Sequence, residues 1–397
     1  MSMEKYNKIH FIGIGGISMS SLAEILKSKG KTITGSDGVA SNVTKALENI
    51  GIQVSIGQKA ENITPDTDLI VYTAAVKEDN PELMAARASG IETVDRAALV
   101  GMMMLEYKFP LSVAGTHGKT TTSSLVTEIF LEANTNPTVS IGGILPSIKG
   151  NYKVGGEDYF ILETCEYCDS FLKFNPHGAI ILNIDADHLD YFKNLDNIYK
   201  SFNKFANRLP EGGFLVINNE IPRLSEVLEG VKAKVITYGK DNTADWYPAD
   251  VTFNDLGHAT YTVNHKGEKI AQVELSIPGM HNVYNSLSAF ALATCYGVAT
   301  EAIVKGIKNF TGTDRRFQFK GQFNGVNVID DYAHHPTEIQ ATINSARGTK
   351  LNKLWIMFQP HTYTRTYNHL DDFAKVLSEA DHVILLDIYA SREKDTG

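Results

Sequence analysis

The chain has 397 residues, of which 43% are hydrophobic and 21% charged, with a formal net charge of -9. That length makes room for two or three domains at roughly 150 residues each, and no apolar run approaches the roughly 18 residues of a membrane span. The acidic balance argues against a general nucleic-acid binder, three cysteines are too few for a disulfide framework, and Met1 to Lys8 lead into a strand without a signal-peptide pattern, so the cytoplasm is the expected location.

The first apolar strand, Ile9–Ile12, runs into the turn Gly13-Ile14-Gly15-Gly16-Ile17-Ser18 and an amphipathic stretch, Ser21–Lys29. A second strand, Lys31–Gly35, ends at Ser36-Asp37. This is a βαβ start with a phosphate-cradling turn. Ser18 stands where a dinucleotide fingerprint has its third glycine, and Asp37 about where the ribose-binding acid falls. Taken alone, the stretch reads first as a dehydrogenase. Leu69–Tyr72, a helix over Pro81–Ser89 and Thr93–Asp95 extend a small parallel sheet across roughly 100 residues. The helix Arg96–Met104, with three consecutive methionines, is expected to pack between domains.

Leu111–Ala114 is the next strand, and Gly115-Thr116-His117-Gly118-Lys119-Thr120-Thr121-Thr122-Ser123 follows it into a helix. A strand feeding a glycine loop and a helix start presents backbone N–H groups and the positive dipole end to an anion. Lys119 adds a charge and Thr120 a hydroxyl for Mg2+. The full phosphate-loop pattern would place a glycine at position 113, and this chain has Val113, so the loop is a shortened one. Lysine followed by three threonines is poor helix-starting chemistry without a ligand. Further on, Tyr159–Leu162 runs into Glu163-Thr164-Cys165-Glu166, and Ala179–Leu182 into Asn183-Ile184-Asp185-Ala186-Asp187-His188. Continuous apolar runs suit strands buried on both faces. Ligands of open α/β sheets bind outside the carboxyl ends of strands, so the three turns should meet at one edge for metal and phosphate work. Cys165 and Cys168 have Cys-x-x-Cys spacing, but a structural zinc normally needs a second pair and only Cys295 is left; they read as small residues of a turn.

From about 212 to 275 the chain alternates, with strands at Phe214–Ile217, Val235–Tyr238 and Ala259–Val263 and no evident chemistry. Pro278 to Asn285 then opens an Ala-rich helix. Asn282 and Asn285 share one face of it, either as caps or as amides facing an adenine edge. After Gly312–Phe317, the strand Gly325–Ile329 ends in Asp330-Asp331-Tyr332-Ala333-His334-His335-Pro336, with a helix from Thr337. Leu354–Phe358 ends in Gln359 to Arg365, and His382–Leu386 in Asp387-Ile388-Tyr389. A thin three-stranded sheet is expected here, read as incomplete because no closing element precedes Gly397.

With these motifs assembled the sequence resembles the Mur ligases, and within them the alanine-adding branch, over nearly its whole length. The most specific segments are residues 13–20, 115–122, 187–190 (Asp-His-Leu-Asp), 281–285 (His-Asn-Val-Tyr-Asn), 315–317 (Arg-Arg-Phe), 330–338 and 358–361 (Phe-Gln-Pro-His). The resemblance implies an α/β protein of three domains: a Rossmann-like UDP-sugar domain over 1–105, a central phosphate-loop ATPase with a parallel-sheet core over 106–312, and a C-terminal Rossmann-like domain over 313–397. It implies ATP with Mg2+ or Mn2+, the partners UDP-N-acetylmuramate and L-alanine, and a monomer or homodimer. The implied reaction phosphorylates the muramoyl carboxylate, and the alanine amino group then displaces phosphate. Site roles follow by motif. Gly115, Thr116, His117, Gly118, Lys119, Thr120 and Thr121 would hold ATP phosphates; Asn282, Asn285, Arg316 and Asp331 would hold the rest of the nucleotide. Thr120, Glu166 and His188 would bind metal. Gly13, Gly15, Gly16, Ser18 and Asp37 would bind the UDP sugar, and Tyr332, His334 and Arg365 the alanine. Catalysis would fall to Lys119, Glu166, His188 and His334.

The chain departs from the family pattern at Glu163-Thr164-Cys165-Glu166-Tyr167-Cys168, which keeps two glutamates but no aspartate, leaving Glu163 and Glu166 as alternative metal ligands. Thr362 follows His361 where the family has arginine, so Arg365 stands as the alanine-binding cation. A murein-tripeptide recycling ligase and a nonenzymatic nucleotide-binding relative are the alternative readings.

Overall fold

The computed structural model describes residues 3–391 and 393; the expected end of the third block at 392 and 394–397 lies outside them. The first sheet has five parallel strands in the spatial order Gln53–Ile56, Thr32–Asp37, Lys8–Ile12, Leu69–Tyr72, Glu92–Asp95. Ile9, Phe11 and Ile12 of the central strand are fully buried, as a strand covered by helices on both sides requires. The edge strand Gln53–Ile56 escaped the sequence reading because it is short and partly exposed. Beneath the glycine turn is a buried polar cluster. Glu82, fully buried, accepts from Ser36 Oγ at 2.5 Å and pairs with His10 Nε2 at 2.8 Å, while His10 Nδ1 meets Thr34 Oγ1 at 2.8 Å. The Ser36 carbonyl in turn receives the N–H groups of Gly13 and Ile14, so the cluster sets the turn's shape.

The second sheet has ten strands, in the order Glu268–Pro278, His258–His265, Trp246–Phe253, Lys234–Tyr238, Phe214–Asn218, Gly178–Ile181, Phe109–Ala114, Tyr159–Glu163, Thr138–Leu145, Gly150–Lys153. Trp246–Phe253 through Thr138–Leu145 run parallel, and antiparallel strands close both flanks. The expected parallel core is therefore part of a mixed sheet. One face packs under helices Lys119–Glu132, Met280–Cys295 and Thr300–Asn309. The other shares a continuous apolar core with the first domain. Helix Arg96–Met104 joins the two as expected: Met103 and Met104 are fully buried, the Gly101 carbonyl accepts from Asn175 Nδ2 at 3.0 Å, and the Asn175 N–H reaches Met104 Sδ at 3.4 Å.

The third block differs from the expected three-stranded sheet. Val326–Asp330 pairs antiparallel with Gln318–Phe323 as a separate hairpin, and Trp355–Phe358 pairs parallel with His382–Leu385. The segment before Gly325 contributes an unforeseen strand, Gln318–Phe323, and it is the partner of Val326–Asp330. A modest core of Ile339, Ile343, Phe358, Phe373, Val376 and Leu377 lies under helices Pro336–Arg347 and Leu370–Leu377. Among the described residues no helix is long and apolar enough to cross a membrane.

The buried cluster yields a stability test. Glu82→Ala leaves two buried partners without their acceptor, and each stranded group costs about 1–3 kcal/mol. The first domain's calorimetric transition should shift down by an amount corresponding to roughly 2–4 kcal/mol. An unshifted transition would show that the cluster is not structural.

Candidate functional site

The strand Phe109–Ala114 lies between Gly178–Ile181 and Tyr159–Glu163, so the turn beginning at Gly115 is flanked by both acidic turns. Val113, where a full phosphate loop has glycine, is a buried strand residue in register with Ile180 and Glu163. The glycines that matter are the next two. A Cβ on Gly115 (φ +137°) would lie 2.9 Å from Leu182 Cβ, and one on Gly118 (φ +83°) 2.9 Å from Asn285 Oδ1. Gly118 caps helix Lys119–Glu132, so the helix N-terminus opens at the sheet edge.

Lys119 folds back over this loop, donating from Nζ to Gly115 O at 2.5 Å, Thr116 O at 2.9 Å and Glu166 Oε2 at 3.2 Å. Burial opposes its charge, but Glu166 and its neighbours outweigh that and hold the ammonium well above the ordinary lysine range. The two glutamates separate here. Buried Glu166 meets Lys119, whereas Glu163 accepts from the Gly142 N–H at 2.9 Å. The Cys165 thiol is pushed up to about 11 by burial, and Cys168 lies exposed at φ +54° in the following turn. His188, at φ +53°, has its ring 4.7 Å from that of Tyr167 and tilted by 39°, with Nε2 3.7 Å from Asp187. Burial lowers its pKa, so the imidazole is kept neutral and able to ligate a metal.

His117 makes the contacts that the motif did not reveal. Its N–H donates to Asn183 Oδ1 at 2.8 Å and its carbonyl accepts from Asn183 Nδ2 at 3.0 Å. Its ring meets Asp185 Oδ2 at 3.1 Å and, from the third block, Glu338 Oε1 at 3.3 Å. Burial disfavours the charge, yet these two carboxylates raise the imidazole to about 9. Both carboxyls are in turn held well below their usual range. His117, Asp185 and His335 bring ligand atoms within 4.8 Å of one another, the geometry of a cation site. The protonation argues otherwise: both nitrogens of His117 face carboxylates and carry protons, and His335 Nδ1 already accepts the Thr337 N–H at 3.3 Å.

Between the blocks is a cavity of about 340 Å³ whose lining includes Gly118, His281, Asn282, Asn285, Arg316 and Asp331. Asn282 donates to Pro278 O at 2.7 Å and accepts from Asn285 Nδ2 at 3.0 Å. The amides therefore brace the helix start, and Asn285 borders the phosphate loop. Burial pushes His281 down to about 4. Arg316 Nη2 reaches Thr120 Oγ1 at 3.4 Å from the third block. Asp331 accepts the N–H groups of Phe317 at 2.9 Å and Ala333 at 2.7 Å, and burial raises its pKa. It orders the connection between blocks.

Tyr332, His334 and Arg365 are gathered on the third block. Tyr332 lies under the Arg315 and Arg316 guanidiniums at 4.6 and 5.5 Å, and its ring is 5.1 Å from that of His334. Arg365 bonds His361 Nδ1 at 3.1 Å and crosses to Asp187 Oδ1 at 3.2 Å. Thr362, in place of the family's arginine, caps the helix Tyr363–Asn368 at φ +67°. At the first domain, Asp37 accepts the Gly15 N–H at 2.9 Å, Gly16 starts helix Ile17–Ser28, and Ser18 accepts from Arg96 at 3.1 Å. Asn151 of the central domain binds Ser21 at 3.0 Å, so this turn faces the second sheet. The sequence reading gave no individual role to Asp185, His281 or Glu338, although it placed the Asp187-His188 turn at the metal and phosphate edge. Asp185 lay in that same acidic turn after a strand, and His281 and Glu338 lay within the family-like segments 281–285 and 330–338, so each had a signal in hand.

The His117 contacts carry a pH signature. Its folded value near 9 exceeds the ordinary 6.5, so its stabilisation is full below 6.5 and lost as pH rises through 9. The depressed Asp185 and Glu338 contribute above their ordinary 3.8 and 4.5 and fail only at lower pH. Melting temperature should thus fall as pH rises from about 6.5 towards 9, while buried His281 and His335, each held down to about 4, make it fall on the acid side of 6.5 as well. His117→Asn should flatten the alkaline limb, and an unchanged limb would contradict the assignment.

Comparison with known proteins agrees with this arrangement along the chain. Residues 8–108 match the Mur ligase family catalytic domain, 113–293 the Mur ligase middle domain, and 315–396 the Mur ligase glutamate ligase domain. The UDP-N-acetylmuramate–L-alanine ligase of Agathobacter rectalis is 54% identical over 98% of this chain and 84% of its own length. That of Acetivibrio thermocellus is 48% identical over 99% and 84%. Among solved structures, the UDP-N-acetylmuramate–alanine ligase of Thermotoga maritima superposes with a TM-score of 0.81 at 31% identity, over 97% of this chain and 86% of that one. A murein peptide ligase of Psychrobacter arcticus gives 0.76 at 27%, over 95% and 84%. With a three-part α/β architecture and identity of this extent to curated members, the chain belongs to the Mur ligase family.

Proposed function

We propose that this protein is the ATP-dependent ligase that joins L-alanine to the lactyl carboxylate of UDP-N-acetylmuramate in peptidoglycan precursor synthesis. The observation that carries the reading is near-full-length identity of 47–54% to eight curated ligases of that name. We assign residues 1–105 as a Rossmann-like UDP-sugar domain, 106–312 as a phosphate-loop ATPase and 313–397 as a Rossmann-like amine-side domain, working in the cytoplasm. A recycling ligase for murein tripeptides is the second reading, favoured by the likeness to the murein peptide ligase.

A carboxylate is a poor electrophile, and phosphorylation gives it a leaving group. The loop residues Gly115 to Thr121 orient the ATP phosphates through N–H groups at the helix start, with Lys119 and Arg316 supplying positive charge. Asn282, Asn285 and Asp331 shape the remainder of the nucleotide site. The buried Thr120 hydroxyl and Glu166 carboxylate are hard oxygen donors suited to Mg2+, and neutral His188 would suit Mn2+. A metal held by these three residues would neutralise charge on the transferring phosphoryl group. Gly13, Gly15, Gly16, Ser18 and the Asp37-braced turn hold the UDP end. On the acceptor side, Arg365 binds the alanine carboxylate and Tyr332 borders the amine. His334 Nδ1 faces two acceptors, Tyr332 O at 2.9 Å and Glu338 Oε2 at 3.4 Å, and so carries its proton. Its Nε2 keeps the lone pair that takes a proton from the attacking amine. The amine attacks the acyl phosphate carbonyl, and inorganic phosphate leaves through a tetrahedral intermediate.

Phosphate release from ATP with UDP-N-acetylmuramate should depend on L-alanine over L-serine, glycine and a murein tripeptide. Tripeptide preference would select the recycling ligase, and no amine-dependent release would reject both. Lys119→Ala should abolish turnover with UDP-sugar binding intact; equal loss of both would mean the nucleotide sites are misassigned. Glu166→Gln should raise the Mg2+ required for half-maximal rate by about 10–100-fold, with Glu163→Gln nearly neutral. The reverse order would transfer the metal role to Glu163.

A further inference from the structure

We propose that His117 is a positioning residue that transmits closure of the C-terminal domain, and with it the state of the amine site, to the phosphate loop. The inference rests on the ligase reading and deepens it. It begins with the loop's attachment. Asn183 clamps the His117 backbone at both N–H and C=O, so the main chain is fixed to the end of the strand Gly178–Ile181. The side chain is then free to serve the other domain. Its ring joins Asp185 of the central domain to Glu338 of the helix Pro336–Arg347.

Glu338 continues the connection. Its Oε2 accepts the His334 backbone N–H at 3.1 Å and lies 3.4 Å from His334 Nδ1. Thr337 Oγ1 adds a second tie, donating to Asp185 Oδ2 at 2.9 Å. A continuous polar path thus runs from His334, where the amine is received, through Glu338 and His117 to Gly118 and Lys119, where phosphate is held. His117 and Glu338 are 221 residues apart, and each is largely buried where they meet. A phosphate loop has no need of an imidazole to bind phosphate, since backbone N–H groups and lysine do that. A bridge between two carboxylates of different domains is what this side chain supplies.

A network that acts as one unit gives non-additive losses when it is cut twice. With the full-length protein, His117→Asn and Glu338→Gln should each lower kcat by about tenfold or more, leave UDP-N-acetylmuramate affinity unchanged, and raise KM for L-alanine more than KM for ATP. The double variant should be no slower than the worse single one. Small-angle scattering with an ATP analogue and UDP-N-acetylmuramate should show compaction in the wild type and less in either variant. His117→Gln, longer and able to reach one carboxylate, should recover part of the rate. Circular dichroism melts identify variants that fail to fold, for which His117→Gln and Thr337→Val provide the comparison. Losses that multiply in the double variant, or full compaction with unchanged kcat in His117→Asn, would overturn the proposal. A wild-type protein without alanine-dependent phosphate release would instead overturn the ligase reading.

Discussion

A lysine ammonium buried among carbonyl oxygens must be held by fixed negative partners, because an unpaired buried charge costs several kcal/mol. Lys119 meets that requirement with Gly115 O, Thr116 O and Glu166, and the meeting depends on register. Tyr159–Glu163 runs parallel to Phe109–Ala114 with Val113 opposite Glu163. The chain therefore leaves both strands at one level, with Gly115 on one side and the turn to Glu166 on the other. Sliding the pair by one residue would face Lys119 with the wrong group and turn buried apolar side chains to the opposite face.

The domains meet through different physics on the two sides of the central sheet. The first domain shares a continuous apolar core with it, through Met103, Met104 and the bonded Gly101 carbonyl. The third block rests on a small core of its own and meets the central domain through polar contacts: His117 with Glu338, Arg365 with Asp187, Thr337 with Asp185 and Arg316 with Thr120. Such contacts form and break without exposing much apolar surface, which suits a domain that moves during a reaction. The amine-side residues are carried by that domain, so chemistry and closure share a boundary.

The strands that sequence made legible were those with uninterrupted apolar runs, such as Tyr159–Glu163 and Gly178–Ile181, because burial on both faces leaves that pattern. Thr138–Leu145 was missed because Gly142 and Gly143 interrupt it and its ladder changes partner, with the Gly142 N–H going to the Glu163 side chain. Gln318–Phe323 was missed because its outward Phe319 and Phe323 and its Gly321 do not alternate as a half-buried strand should. The phosphate loop and the acidic turns were readable as local motifs. The choice of Glu166 over Glu163 as the partner of Lys119 came only from three dimensions, as did the Asp185–His117–Glu338 bridge. No periodicity links residues so far apart in sequence.

The account's central claim is that the carboxylate of the nucleotide sugar is activated by phosphoryl transfer at the Lys119 loop. The most direct measurement uses UDP-N-acetylmuramate labelled with oxygen-18 in its carboxylate, together with ATP and L-alanine, and reads the released phosphate by mass spectrometry. Activation through an acyl phosphate predicts that one labelled oxygen appears in inorganic phosphate with each amide formed. Unlabelled phosphate accompanying amide formation would contradict the account.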